Sequence, residues 1–221
     1  MSFLATSQAM ADSSNSLTIY VLELKNLIYK NGEEASGTWI EMFDELSRET
    51  GIKFKYEFTS IPRLEKVLKG NDPGCSLTVF KTDNREQNGM QFVYIYPESV
   101  AIKIYKRADD KFPWTIDNVK ERKDVKIITN TIVAVDVLKE LGISTELIFN
   151  FNSIISMLKF NRVSLIAGSS LVIEAAPEFK SGQIVPVGVV SELKHGIVCT
   201  KKTPNDFIQK IKKNVRILKF N

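Results

Sequence analysis

The stretch Gly70–Pro97, GNDPGCSLTVFKTDNREQNGMQFVYIYP, determines how the rest of the chain is interpreted. It opens on Asn-Asp-Pro-Gly, which is typical of a turn, and the residues of 76–80 that follow predict a short strand. A polar loop with Thr82 and Arg85 comes next, and the aromatic run 92–96 ends the stretch. Such a loop is a good anion receptor, because a guanidinium can hold both oxygens of a carboxylate while a hydroxyl adds a third hydrogen bond.

A simpler interpretation of Arg85 is a solvated loop charge. Asp83 and Glu86 lie within two residues of it, and either carboxylate is a plausible ion-pair partner. The neighbouring residues are compatible with both an anion-binding and a solvated Arg85. The position of this loop in the fold of the whole chain distinguishes the two.

The composition is that of an ordinary globular protein, with 43% hydrophobic and 25% charged residues and a net charge of +4. A length of 221 residues suffices for one large domain or two small ones. Basic and apolar residues alternate over 205–220, which predicts an amphipathic helix with a solvated basic face. A nucleic-acid-binding patch is the alternative, but no recognition motif accompanies it.

The two cysteines, Cys75 and Cys199, and the single histidine, His195, do not suffice for an ordinary structural zinc site. The cysteines lie far apart in the sequence, and we expect two buried free thiols rather than a disulfide. We expect His195 to be a hinge or packing residue. No catalytic triad, phosphate-binding loop or metal motif is recognisable, and we expect no cofactor and no bound metal.

Residues 1–16 are expected to lie outside the fold. Ala9-Met10-Ala11 has the small-x-small form of a signal-peptidase site, but a basic region before it is missing and the apolar part is short. We interpret the segment as the remnant of a signal peptide, with a disordered leader as the alternative. No run approaches the roughly 18 apolar residues that a membrane-spanning helix needs.

From residue 17 onwards strand and helix patterns alternate, which predicts an α/β fold with a mostly parallel sheet. The predicted elements include a helix over 39–50 that Gly51 ends, a short helix over 115–122 with Thr115 as its candidate cap, and separate strands over 99–105, 184–190 and 196–200. The alternation restarts after the charged segment 106–111, which indicates a second unit. We predict a first lobe of residues 17–103 plus 197–221 and a second lobe of residues 104–196, joined by a hinge of two crossing strands.

Three loops follow the C-terminal ends of predicted strands, where ligands of open α/β sheets bind. They are 82–85 in the first lobe and 129–131 and 168–170 in the second. The last two also lie at predicted helix N-termini, whose free backbone N–H groups favour anions. Two lobes joined by two crossings would place these loops face to face across a cleft.

Four segments carry motifs in a recognisable order: GTWIEMF at 37–43, KTDNRE at 81–86, LKFNRVSLIA at 158–167 and HGIVCTKK at 195–202. Their order and spacing resemble the extracytoplasmic solute-binding proteins of family 3, the amino-acid-binding type, and the chain looks like a divergent member. The resemblance covers nearly all of residues 17–220.

The resemblance implies a two-lobed, periplasmic-binding-protein-like fold (type II, venus flytrap) that closes on its ligand by hinge motion. It implies that Arg85 holds the carboxylate of the ligand, assisted by Thr82 and by the helix N-terminus at Asn130 and Thr131. The aspartate that meets the ligand ammonium in this family corresponds to Ser169 here.

The serine at this position changes the expected ligand, because a hydroxyl is a poor partner for a cationic ammonium. We expect a monocarboxylate, or a peptide-like or aromatic compound, rather than a standard α-amino acid; a site without ligand is the remaining alternative. Glu23, at the end of the first predicted strand, is a candidate replacement for the missing carboxylate. Phe80 stands where the family has a small residue, and it is expected to narrow the pocket.

The resulting hypothesis is a non-enzymatic, bacterial binding protein of the periplasm. It would bind a small carboxylate-bearing solute in the interlobe cleft, as a monomer, for ABC-type amino-acid transport or for sensing. Expected partners are the solute and an ABC permease or sensor protein, but no nucleic acid. The alternatives are a dehydratase-like enzyme on the same fold and a ligand-sensing interaction module without a transporter.

Overall fold

The computed structural model describes residues 15–24, 27–122 and 124–218. Residues 1–14 of the predicted leader lie outside the described residues, and Ser16 begins the first strand. The chain divides into two units. Unit 1 comprises the chain up to Tyr96 and from Gly196 onwards, and unit 2 comprises Pro97–His195.

Two long strands, β6 and β10, belong in part to each unit, and the other elements belong to one unit only. Unit 1 contains β1 (Ser16–Val21), β2 (Tyr29–Asn31), β3 (Glu34–Ser36), α1 (Thr38–Thr50), β4 (Lys53–Phe58), α2 (Ile61–Leu68), β5 (Cys75–Phe80), α3 (Asp83–Gln87), the start of β6 (Gln91–Arg107), the end of β10 (Ile184–Cys199), α9 (Asn205–Asn214) and a 3-10 turn (Val215–Ile217). Unit 2 contains the rest of β6 and β10 together with α4 (Ile116–Glu121), β7 (Ile127–Thr129), α5 (Ile132–Glu140), β8 (Thr145–Leu147), α6 (Phe151–Lys159), β9 (Leu165–Ser169), α7 (Ser170–Ile173) and α8 (Pro177–Lys180).

In unit 1 the strand order is β4-β1-β5-β10-β6, with β1 parallel to both β4 and β5. Helix α1 buries Trp39, Ile40, Phe43 and Leu46, the helical spacing that the sequence predicted, and it ends at Gly51 in the left-handed conformation. Helix α9 likewise buries its apolar residues and exposes its lysines, so the amphipathic interpretation of the basic C-terminal segment is confirmed, although the helix ends at Asn214.

The expectation of two free thiols is wrong, because the structure joins Cys75 of β5 to Cys199 of β10 in a disulfide. The residues are 124 positions apart in the sequence, yet β5 and β10 are neighbouring strands. Neither cysteine is exposed to solvent. Sequence separation was a poor guide here because it says nothing about which strand the returning chain joins.

In unit 2 the strands β9, β7 and β8 are parallel to one another, and β6 joins β9 in antiparallel pairing. Side chains alternate between the two faces of this sheet, as strand geometry requires. Tyr105 and Ile166 pack into one apolar cluster, with α6, while Ile104 and Leu165 pack into another, with α4 and α5. The sheet is therefore covered on both faces.

Several predicted boundaries differ from the structure. The segments 92–96 and 99–105 form one strand, β6, and the segments 184–190 and 196–200 form one strand, β10. The predicted loop at 82–85 contains the start of a short helix, α3. The sequence showed breaks at prolines and charged residues, but a crossing strand that is paired on both sides can continue through them.

Candidate functional site

Thr82 and Arg85 lie where β5 ends and α3 begins in unit 1. The Thr82 carbonyl accepts the backbone N–H groups of Arg85 and Glu86, each at 3.1 Å. The Thr82 hydroxyl oxygen lies 3.4 Å from the Arg85 nitrogen and accepts the same N–H at longer range. Thr82 thus starts the short helix and fixes the position from which the Arg85 side chain extends.

The Arg85 side chain is buried, with 8% of the residue exposed, which is unusual for an arginine. Its Nη1 donates to the carbonyl oxygen of Phe80, and its Nη2 donates to Oε1 of Glu65 on α2. The third nitrogen, Nε, is buried and has no hydrogen-bond partner in the described part of the chain. Two nitrogens of the guanidinium, Nη1 and Nη2, are therefore engaged by the protein, and the buried Nε–H is left without an acceptor.

The simple interpretation of Arg85 as a solvated charge paired with Asp83 or Glu86 is wrong. Glu86 pairs with Lys81, and the partner of Arg85 is Glu65, twenty residues earlier in the chain. No local pattern pointed to Glu65, because the pairing depends on how α2 lies against the end of β5.

The two other predicted site residues of unit 1 differ in environment. Phe80 is buried, and its carbonyl oxygen is part of the Arg85 environment. Glu23 lies just after β1 and is exposed, and within the described residues it makes no hydrogen bond or ion pair with Arg85. The structure therefore brings Phe80, Thr82 and Arg85 together but does not join Glu23 to them.

The predicted residues of unit 2 lie at the ends of two neighbouring parallel strands, β7 and β9. Asn130 follows β7, and its Oδ1 would lie 3.6 Å from a Cβ added at Gly168. Thr131 is the N-cap of α5 and Ser169 the N-cap of α7, in neither case with a side-chain capping bond. The strand pairing thus brings Asn130 and the 168–169 segment together.

A polar network in unit 2 was missed by sequence reasoning. Glu174 accepts hydrogen bonds from Lys103 Nζ at 2.8 Å and from the Tyr105 hydroxyl at 3.1 Å. Burial, and then the nearby Glu174 carboxylate, raise the pKa of Tyr105 above its ordinary value of 10.0, so the hydroxyl stays protonated and donates. The carboxylate nearest in sequence to Ser169 is therefore already engaged by a cation.

Two open cavities, of about 360 and 390 Å³, lie in unit 2. Arg107 lines both of them; Lys159 and Glu178 line the first, and Arg122 and Arg162 the second. Neither of these two cavities is lined by a predicted site residue. Among the described residues there is no group of acidic, histidine and cysteine side chains suited to holding a metal ion, and no helix has the length and apolar character to cross a membrane.

Comparison with known proteins identifies the fold. No protein-family model and no curated protein matches the sequence. Among solved structures, the arginine-bound form of truncated ArgBP from T. maritima superposes with a TM-score of 0.75 at 20% identity, over 95% of this chain and 99% of that one. The chain has the two-lobed periplasmic-binding-protein fold.

Two further structures support the periplasmic-binding-protein fold. The GluR0 ligand-binding core from Nostoc punctiforme, in complex with L-glutamate, matches with a TM-score of 0.70 at 22% identity, over 90% of this chain and 91% of that one. An ancestral arginine-binding protein bound to arginine matches with a TM-score of 0.70 at 16% identity, over 91% of both chains. The resemblance drawn from the sequence motifs is thereby confirmed at the level of the fold.

Proposed function

We propose that this protein is a non-enzymatic binding protein for a small, carboxylate-bearing solute, and that Arg85 is the residue that holds the carboxylate. Likeness of fold to proteins whose structures contain arginine or glutamate supports the proposal, since both compounds carry a carboxylate. The sequence identities to those proteins are only 16–22%, so the argument for the ligand depends on the residues of this chain.

The observation that carries the proposal is the unpaired Nε of Arg85. A buried donor without a partner costs roughly 1–3 kcal/mol, and more when the group is charged. An oxygen atom of a bound carboxylate that accepts the Nε–H would remove that cost, and the hydrogen bond would be strong because both partners are charged. The site is thus incomplete in a way that a ligand oxyanion would complete.

The remaining predicted residues have proposed roles around this carboxylate. The Thr82 hydroxyl accepts a backbone N–H, so its own proton is available to a ligand oxygen. Phe80 would limit the width of the site. We keep Asn130, Thr131 and Ser169 as proposed ligand contacts in unit 2.

We further propose that the protein works outside the cytoplasm, in the periplasm. The Cys75–Cys199 disulfide supports this, since disulfides form and persist in oxidising compartments and are rare in the cytosol. Delivery of the solute to an ABC permease and reporting to a sensor protein are the two proposed uses of binding, as in the sequence-based hypothesis.

Calorimetry on the full chain tests the proposal, with L-arginine, L-glutamate and acetate as probes. Arg85→Lys keeps the positive charge but removes Nε and the planar fork, and we expect affinity to fall by about tenfold or more. Arg63→Lys is the matched control, because Arg63 is an exposed arginine of unit 1 that pairs with Glu57 at 2.9 Å. Circular dichroism on both variants verifies that they are folded.

Two results would contradict the proposal. One is binding that Arg85→Lys leaves undiminished. The other is a wild-type protein that binds none of the carboxylates at millimolar concentration.

A further inference from the structure

We infer that Glu65 is a specificity-determining residue, which makes the site select ligands that carry a cationic group close to their carboxylate. This inference rests on the proposed function, because it concerns the same site. It departs from the sequence-based expectation of a plain carboxylate ligand.

The first argument is the placement of Glu65. Helix α2 is anchored by its buried residues Leu64 and Leu68, and Glu65 follows directly on one of them. Oε1 of Glu65 accepts a hydrogen bond from Nη2 of Arg85. The Glu65 side chain is 24% exposed to solvent. Oε2 has no hydrogen-bond partner in the described part of the chain, so half of this carboxylate is available to a ligand.

The second argument is charge. Arg85 and Glu65 together carry no net charge. A ligand with only a carboxylate would be attracted by the guanidinium and repelled by the glutamate beside it. A ligand with a carboxylate and a nearby ammonium would meet a partner of opposite charge for each group.

The third argument concerns the other acidic groups. Ser169 offers no carboxylate, and Oε1 of Glu174, the nearest carboxylate in sequence to Ser169, accepts hydrogen bonds from Lys103 and Tyr105 and not from Arg85. In unit 1, Glu57 pairs with Arg63. Glu65 is in direct contact with Arg85, whereas Glu23 is not, so among these carboxylates Glu65 is the one placed to meet a cationic group beside Arg85.

The geometry also limits the ligand. The unpaired Nε of Arg85 and the unpaired Oε2 of Glu65 are separated by no more than one guanidinium and one carboxylate in series. The anionic and cationic groups of the ligand must therefore be neighbours, as they are in an α-amino acid, in which a single carbon joins them.

The test compares ligands that differ only in the α-ammonium group. The pairs are L-glutamate with glutarate and L-arginine with 5-guanidinopentanoate, measured by calorimetry on the full chain. For Glu65→Gln we expect the affinity for the amino members to fall by about tenfold or more, because the negative charge that pairs with the ammonium is lost and only an uncharged acceptor remains. The affinity for the members without ammonium should stay equal or rise.

Two controls separate charge from structure. Glu57→Gln removes a carboxylate from an exposed ion pair of unit 1, and it should leave the affinities for all four ligands unchanged. Glu65→Asp keeps the charge on a shorter side chain and should retain part of the preference, which covers the case in which Glu65→Gln is poorly folded.

The outcomes distinguish the two proposals. If the wild type binds both members of a pair and Glu65→Gln weakens both equally, Glu65 only positions Arg85, and this inference is overturned while the proposed function stands. The inference also fails if Glu23→Gln, rather than Glu65→Gln, removes the preference for the amino member. If the wild type binds neither member of either pair, the proposed function itself fails.

Discussion

Replacing Cys75 and Cys199 together by alanine removes the crosslink between β5 and β10. Both residues are fully buried in unit 1, and the bond closes a loop of 124 residues that includes the whole of unit 2. We expect a large loss of stability, because the uncrosslinked chain gains conformational freedom when it unfolds.

The magnitude follows from the loop length. Chain-entropy arguments for a closure of this size give roughly 5 kcal/mol as an upper value, and removal of native disulfides typically costs about 2–5 kcal/mol. The unfolded variant also exposes more surface than the crosslinked unfolded chain. We therefore expect the dependence of the unfolding free energy on urea to be steeper in the variant.

Tryptophan fluorescence during urea unfolding can report on the units separately, because Trp39 lies in unit 1 and Trp114 in unit 2. Removing one or the other tryptophan by substitution with phenylalanine leaves a single reporter. We expect the disulfide variant to lose most stability in unit 1, which Trp39 reports. Wild-type protein treated with reductant is the matched control, since it lacks the crosslink but keeps every side chain.

Two results would refute this reasoning. The first is a decrease of less than about 1 kcal/mol in the free energy of unfolding, whether Trp39 or Trp114 is the reporter, which would mean that the crosslink adds little to the stability of the fold. The second is mass spectrometry that finds two free thiols in native protein purified under oxidising conditions.

Three other substitutions test the structure at separate places. In Gly196→Ala the new Cβ would lie 2.1 Å from the Val93 carbonyl oxygen, and we expect a loss of about 3 kcal/mol or more in urea unfolding. Thr203→Val leaves the buried Gly74 N–H without its hydroxyl acceptor at 3.1 Å, which should cost about 1–3 kcal/mol in the same measurement. Burial favours a raised pKa for Asp110, but hydrogen bonds and nearby cations outweigh burial and lower the pKa below 3.8. The ionised Asp110 should therefore stabilise the fold above about pH 4, and this contribution should disappear as the pH falls further. In Asp110→Asn that contribution is absent at every pH.

Each of these has a control or a contrary outcome. Gly51→Ala introduces a side chain at φ 66° with open space around it, and should cost only about 1–2 kcal/mol. Thr203→Ser keeps the hydroxyl and should be near wild type. A difference between Asp110→Asn and wild type that is constant from pH 7 to pH 2 would contradict the lowered pKa.

Much of the fold could be predicted because its signals are local. The apolar spacing of 39–46 and the following glycine identified α1, and Thr115 was recognised as the cap of α4, where its side chain accepts the N–H of Asn118 at 3.2 Å. These features depend on residues a few positions apart, which the sequence shows directly.

The candidate site was only partly predictable for the same reason. Thr82 and Arg85 could be proposed together because they are neighbours in one segment that follows a predicted strand. Glu65 was not found, since nothing within its own helix distinguishes it from a solvated surface glutamate.

The sequence by itself determined the alternation of strands and helices and the fold class, and it made Arg85 the proposed anion-binding residue, because periodicity, caps and turns act over short distances. Only the tertiary structure decided that Cys75 bonds Cys199 and that Glu65 pairs with Arg85. Both contacts join residues far apart in the chain, and strand order and helix packing, not local pattern, bring them together.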